Sequence, residues 1–310
     1  MKAKTFEISP SGRKISLKEK VHRTAWEKAA IGICLAIFCL YAVSLIYPFL
    51  WMTLNAFKTK TEFYEDVFAL PQKWQFINFY NAVVNFKITV GSGAGTRYVN
   101  LIQMFGMSIF LTIVVTALEI FVSACTAYIM AKYKFPGRSI LYAVIIFAYV
   151  APIVGSMPAT YRFMNQIHLL NTIPGVLLIY VGGVGFAFLI LYGHFKSLSW
   201  SYAEAAFIDG ANDFSVFFKI MLPLSVPSLT AMAVVTAISY WNDFNTPRIY
   251  LESYPTLAVG INQLITDMRY ENEYPMMFAC MIVSVIPIII FFSCFQKTIM
   301  KNMVAGGLKG

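Results

Sequence analysis

The chain has 310 residues, of which 58% are apolar, 16% aromatic and 13% charged, with a mean hydropathy of +0.65. Soluble domains carry about 25% charged residues, so this composition excludes an ordinary water-soluble globule, and its apolar and aromatic content excludes a disordered chain. The formal charge of +9 then raises the question of which membrane face holds the excess, not of nucleic-acid binding.

A helix needs about 20 apolar residues to cross the hydrocarbon core. The chain opens with a polar tail, 1–28, followed by a charge-free run at 29–57. That run is long and lacks a small-residue cleavage site, so it reads as a retained helix and not as a signal peptide. A polar segment at 58–97 leads to a run at about 98–131 that only Glu119 interrupts. Runs at 139–161, 163–193 (strongly apolar from Ile173), 220–242 and 274–296 complete six predicted spans, before a tail at 297–310. With the N-terminus inside, the inner segments 1–28, 132–138, 194–219 and 297–310 hold 16 of the 24 Lys and Arg and six acids. The outer segments 58–97, 162–172 and 243–273 hold eight of each sign. The positive-inside rule therefore predicts that both termini are cytoplasmic.

Along the chain, few residues suggest chemistry. In the tail, Leu17 and Val21 stand one turn apart among Lys and Arg, a pattern that suits either an anionic membrane surface or a solvated tail that only sets topology. The outer segment 58–97 carries Trp74, Phe76, Phe79 and Tyr80 after Pro71 and is expected to pack in part on the outer face. Its glycine-rich stretch from Gly91 to Thr96 lacks the Gly-Lys-Ser/Thr of a phosphate loop, so a flexible loop is expected and ATP binding by that route is not. Cys34, Cys39, Cys125, Cys280 and Cys294 fall singly in apolar stretches, as packing residues do. His22, His168 and His194 lack further ligands at metal spacing. No Ser-centred nucleophile elbow occurs. Glu119 is costly against lipid and is expected to face the bundle interior, either lining a translocation path or bonded, protonated, to a neighbouring helix. Pro152 and Pro158 free backbone carbonyls within the third span and predict a kink there.

The cytoplasmic segment between the fourth and fifth spans is the most informative. Ala203 to Ile208 favours helix, and Ala205 and Ala206 leave a thin face that another protein could approach. Gly210 is a natural helix stop, Asn212 or Asp213 can cap a second short helix, and Pro223 is expected to end it. The pattern Glu204-Ala205-Ala206, three residues, Gly210, nine residues, Ile220, one residue, Leu222-Pro223 resembles the EAA signature of permease subunits of bacterial ABC importers. Lys132 to Arg138 and Leu169 to Leu178 resemble loop and span-approach sequences of sugar importers, as does Trp241-Asn242-Asp243-Phe244 after the fifth span. Ala305 to Gly310 is similar to the tail of the smaller six-span subunit of the maltose-transporter type, and the likeness covers about residues 40–310. Glu119 departs from the family, which usually has an apolar or small residue there.

The resemblance implies an all-α polytopic membrane protein of six transmembrane helices, with the type I ABC importer permease fold in residues 98–296 and a coupling loop at 194–223. It implies ATPase coupling by Glu204, Ala205, Ala206, Asp209, Gly210, Ile220, Leu222 and Pro223, with Glu119 and Asn242 as candidates for the translocation path. It further implies a homologous permease partner, two ABC ATPase subunits that bind ATP and Mg, and an extracytoplasmic solute-binding protein that delivers a carbohydrate. No cofactor, metal or catalysis is expected in this chain, and its location would be the bacterial cytoplasmic membrane. A stand-alone secondary transporter, or an ABC importer for a non-sugar solute, remains the alternative reading.

Overall fold

The computed structural model describes residues 6–8, 14–16, 24–91, 96–151, 155–181, 185–266 and 273–307, with side chains described between 24 and 296. Leu17, Val21, His22 and Pro152 lie outside the described residues, as do 92–95 of the glycine-rich stretch and 308–310 of the tail.

Residues 1–52 form one unit. Within it β1 (Phe6–Ile8) pairs antiparallel with β2 (Lys14–Ser16), Phe6 opposite Ser16. Helix α1 (Ala25–Ala56) begins there on a capping box: Thr24 N–H donates to Glu27 Oε2 at 2.9 Å, and Glu27 N–H to Thr24 Oγ1 at 3.3 Å. Its 32 residues reach about 48 Å at 1.5 Å per residue, enough to cross a bilayer. Residues 31–50 are exposed and almost wholly apolar, as a lipid-facing helix requires.

The second unit runs from Thr53. Two short helices, α2 (Lys60–Glu65) and α3 (Ile77–Val84), precede the antiparallel hairpin of β3 (Lys87–Val90) and β4 (Arg97–Asn100), with Lys87 opposite Asn100. The expected packing of the outer segment is present: the Phe57 ring lies 5.0 Å from Trp74, 5.1 Å from Phe76 and 4.8 Å from Phe79. Beside it Lys58 is buried and donates from Nζ to the Asp66 carbonyl at 2.8 Å. Capping boxes start α2 (Thr59 with Glu62) and α4 (Leu101–Lys132; Asn100 with Gln103).

Helices α5 (Arg138–Val150), α6 (Ser156–Gln166), α7 (Ile173–Val181), α8 (Phe186–Ser197) and α9 (Ser201–Ile208) follow. The chain continues through α10 (Asp213–Val216), a π-helical turn (Phe217–Met221) and α11 (Leu222–Leu224). It then forms α12 (Val226–Asn242), α13 (Asn245–Tyr250), α14 (Leu257–Thr266) and α15 (Tyr274–Gly307). By length and apolarity α1, α4 and residues 274–296 of α15 can each cross a membrane alone, while α7 with α8, and 213–224 with α12, qualify as bent pairs. The expected third span, 139–161, is divided between α5 and α6, with 152–154 outside the described residues. Pro158 does not kink a helix there. It lies in the first turn of α6, where its missing N–H has no intrahelical partner to lose. The expected tail at 297–310 instead continues α15 to Gly307.

The core is a contact between α4, α8 and α12. Ala124 and Ala127 of α4 and Ala187 of α8 are buried and let the backbones approach, while Phe188, Leu191 and Phe195 fill the space beside them. His194 on α8 and Ser228 on α12 share a hydrogen bond of 3.0 Å across this core. A second cluster joins Leu111 and Val115 of α4 to Val176 of α7 and to Leu251.

Candidate functional site

At the C-terminal end of α4, residues 197–225 fold into a helical knob. The Ser199 hydroxyl accepts the Ser201 N–H at 3.3 Å and opens α9. The helix closes in a Schellman motif: Gly210 N–H donates to the Phe207 carbonyl at 3.0 Å, and Ala211 N–H to the Ala206 carbonyl at 2.9 Å. Gly210 takes φ +84°, a left-handed conformation that a side chain would strain. One residue later Asn212 Oδ1 accepts the Ser215 N–H at 2.8 Å and caps α10, as the sequence predicts.

Pro223 does not end this second helix. The π-helical turn widens the ladder, with Leu222 N–H reaching back to the Phe217 carbonyl, and so absorbs Pro223, which has no N–H to offer. Helicity persists to Leu224. The chain then bends by 73° into α12 around the buried Ser225, whose hydroxyl donates to the Met221 carbonyl at 2.7 Å.

The structure divides the predicted coupling residues into two sets. Ala206 is buried, and Ile220 and Leu222 are half-buried against the same core as α4 and α8. Ala206 therefore does not offer a face to another protein: a helix that buries Ala203 one turn earlier also buries Ala206. Glu204, Ala205, Asp209, Gly210 and Pro223 are exposed. Two apolar side chains that the signature does not include flank the turn, Ile208 at 86% and Phe214 at 76% exposure. Large apolar groups at such exposure on a rigid knob are the signal that points to them.

The knob is fastened to α4 by polar contacts too. Tyr133, just past the end of α4, donates its hydroxyl to Asp213 Oδ1 at 2.6 Å, and Lys132 Nζ donates to the Leu198 carbonyl. Rings continue the link, with Tyr133 6.0 Å from Trp200 and Trp200 6.0 Å from Phe207. Burial, reinforced by the Asp213 carboxylate that accepts its proton, raises the Tyr133 hydroxyl well above the ordinary tyrosine value. It therefore stays a neutral donor at physiological pH. Composition and spacing did not reveal this pair, because 80 positions separate its members.

The second candidate region lies where α4, α7 and α12 meet. Glu119 is half-buried, and its Oε2 accepts the Tyr240 hydroxyl at 2.6 Å. The Tyr240 ring lies 4.7 Å from that of Tyr180, whose hydroxyl donates to Asp243 Oδ2 at 2.9 Å. Asp243 Oδ1 in turn accepts the backbone N–H groups of Asn245 and Thr246 at 2.9 and 3.2 Å. Each carboxylate thus accepts one tyrosine hydroxyl. Asn242 is not part of this group: it is exposed and returns its amide to the Ile238 carbonyl at 2.8 Å. Tyr180, Tyr240 and Asp243 are the additions of the structure. Asp243 stood in a quoted motif, but nothing in sequence order joins Tyr180 to Glu119.

The chain is similar to known proteins over most of its length. Residues 123–304, more than half of the chain, match the family described as "Binding-protein-dependent transport system inner membrane component". The chain is 30% identical, over 87% of its length and 86% of the relative's, to the diacetylchitobiose uptake system permease protein NgcG of Streptomyces coelicolor. It is also 30% identical, over 88% of its length and 94% of the relative's, to the arabinooligosaccharides transport system permease protein AraQ of Halalkalibacterium halodurans. A crystal structure of a bacterial ABC transporter involved in import of the acidic polysaccharide alginate contains a chain of the same fold, with a TM-score of 0.75 at 21% identity, over 89% of this chain and 98% of that one.

Proposed function

The chain belongs to the family of binding-protein-dependent transport system inner membrane components, and we propose that within it the protein is the permease subunit of an ATP-driven oligosaccharide importer. It lies in the bacterial cytoplasmic membrane with both termini inside and forms the pore with a homologous permease. Two ABC ATPase subunits bind ATP and Mg below it, and an extracytoplasmic binding protein delivers the sugar. The chain itself catalyses nothing. The names of two relatives, which transport diacetylchitobiose and arabinooligosaccharides, support the carbohydrate assignment.

The observation that carries this reading is the knob, whose outward Glu204, Ile208 and Phe214 side chains have no partner among the described residues. Ile208 and Phe214 would each gain about 1.5–3 kcal/mol on full burial, so an apolar groove of the ATPase is the natural seat. Glu204 would meet basic or polar groups there, Ala205 permits close approach, and Gly210 supplies the turn. Asp209 and Pro223 are exposed too, while Ala206, Ile220 and Leu222 act from behind by anchoring the knob. When the ATPase subunits close, displacement of α9 passes through the buried Ala203 and Ala206 to Phe217 and Met221, and through Tyr133 to α4. Such switching requires sugar and nucleotide to favour different states, not merely to bind. Glu119, with Tyr240, and Asn242 are assigned to the translocation path.

The test is purification of the tagged chain from its native membranes in gentle detergent. Stoichiometric recovery of a Walker-motif ATPase and a related permease is the expected result. Recovery of the folded chain alone would overturn it in favour of a solitary transporter.

A further inference from the structure

At the opposite end of α4 from the knob lies a cavity of about 450 Å³ between the β3–β4 hairpin, α13 and α14. Its size falls within the range of about 300–1,000 Å³ typical of small-molecule sites. Both walls are held in place. Leu257 N–H at the start of α14 donates to Ser108 Oγ on α4 at 2.7 Å, and a Cβ on Gly260 would lie 2.3 Å from Met104 Sδ, so α14 sits against α4 with no space between. On the other side Arg97 of β4 donates to the Ser253 carbonyl and lies 5.3 Å over the Tyr254 ring.

Thr89, Arg248, Glu252, Asn262 and Gln263 bring polar groups into the cavity, above the apolar Leu251 and Val259. Arg248 Nη1 donates to Asn262 Oδ1 at 3.2 Å. That bond orients the Asn262 amide and leaves its Nδ2 without a partner among the described residues. The side chains of Gln263 and Glu252 also have none among them. Planar amide, guanidinium and carboxylate groups that keep donors and acceptors to spare are suited to paired donors and acceptors such as vicinal hydroxyls. One cation stands against one carboxylate, so the lining offers no net charge to an ionic ligand. We infer that this cavity is a binding subsite for a neutral saccharide unit, separate from the intramembrane Glu119 region. The inference rests on the reading of the chain as an oligosaccharide permease.

The experiment uses the complete transporter in nanodiscs. A panel of neutral oligosaccharides is first screened with the binding protein present, and the one that stimulates ATP hydrolysis is carried forward. If none stimulates, the carbohydrate reading itself fails. Saturation-transfer NMR is then recorded on the complex without its binding protein. Transfer to the active neutral sugar is expected, and none to a uronic-acid oligosaccharide. Asn262→Leu with Gln263→Leu should weaken the neutral signal about fivefold, the loss of a net hydrogen bond, while the yield of assembled transporter is kept. Glu252→Gln should add transfer to the uronic-acid sugar, a gain that misfolding cannot produce. No transfer to the active sugar, or transfer unchanged by the double substitution, overturns the subsite. So does loss of affinity for the sugar-free binding protein in the double variant, because the cavity would then be seating a loop of that protein.

Discussion

The two ends of α4 present opposite kinds of surface. At its C-terminal end the knob comes from one contiguous stretch, 197–225, and its uncommitted side chains are the apolar Ile208 and Phe214 beside Glu204. At its N-terminal end the cavity is assembled from residues 88–91 and 247–266, and its uncommitted groups are the polar Glu252, Asn262 and Gln263. A convex apolar knob suits a protein groove, whereas a concave polar cavity suits a small hydroxylated ligand. One helix of 32 residues, about 48 Å long, thus lies between a proposed protein contact and a proposed sugar contact.

Substitutions can break this contrast. The largest effects are expected at the knob. Gly210→Val forces a side chain into the φ +84° conformation, and Glu204→Lys reverses the charge of the exposed face. Each should abolish sugar uptake in vesicles while leaving normal amounts of protein in the membrane, and normal uptake by either would remove the coupling assignment.

Next, Tyr133→Phe deletes the hydroxyl that binds Asp213, a bond of about 1 kcal/mol net. The expected outcome is fewer sugars moved per ATP hydrolysed, with hydrolysis itself retained. A merely structural role would lower both together. The Tyr133 hydroxyl is raised in the folded state, so its protonated form is the stabilised one. That stabilisation is complete below the unfolded tyrosine value of about pH 10 and is lost only as pH rises through the folded value. Wild-type coupling should therefore not change between neutral and mildly alkaline pH on account of this group.

Glu119→Gln keeps the shape and the acceptor for Tyr240 but removes the carboxyl group. Reduced uptake at unchanged expression would support its place on the path, and unchanged uptake would exclude it. The smallest effect is expected at Thr59→Ala, away from both ends of the contrast. It removes one half of the α2 capping box and should cost about 1 kcal/mol of stability, seen as a lowered Tm without change in the uptake stoichiometry.

Much of the knob was legible because its determinants are local. A left-handed glycine, an asparagine cap and a run of helix formers act within a few residues, and the motif spacing records them. The mistakes there concern direction. Ala205 and Ala206 look alike in sequence, yet only packing against α4 and α8 decides that Ala206 turns inward. Pro223 looks like a stop, but the π-helical turn before it accommodates the ring. The capping boxes Thr24–Glu27 and Thr59–Glu62 were also readable as Thr-x-x-Glu and announce helix starts in segments otherwise treated as polar.

Hydropathy and charge alone determined that the chain is a membrane protein and which segments carry the positive excess. These properties are sums over neighbours in sequence, and a bilayer reads them in that form. Only the tertiary structure decided that Glu119 meets Tyr240 across 121 positions, that Tyr133 holds Asp213, and that Arg248 and Asn262 converge on a cavity. Those contacts depend on how helices cross and on which face of each is buried, and the apolar runs that carry them constrain length far more tightly than rotation.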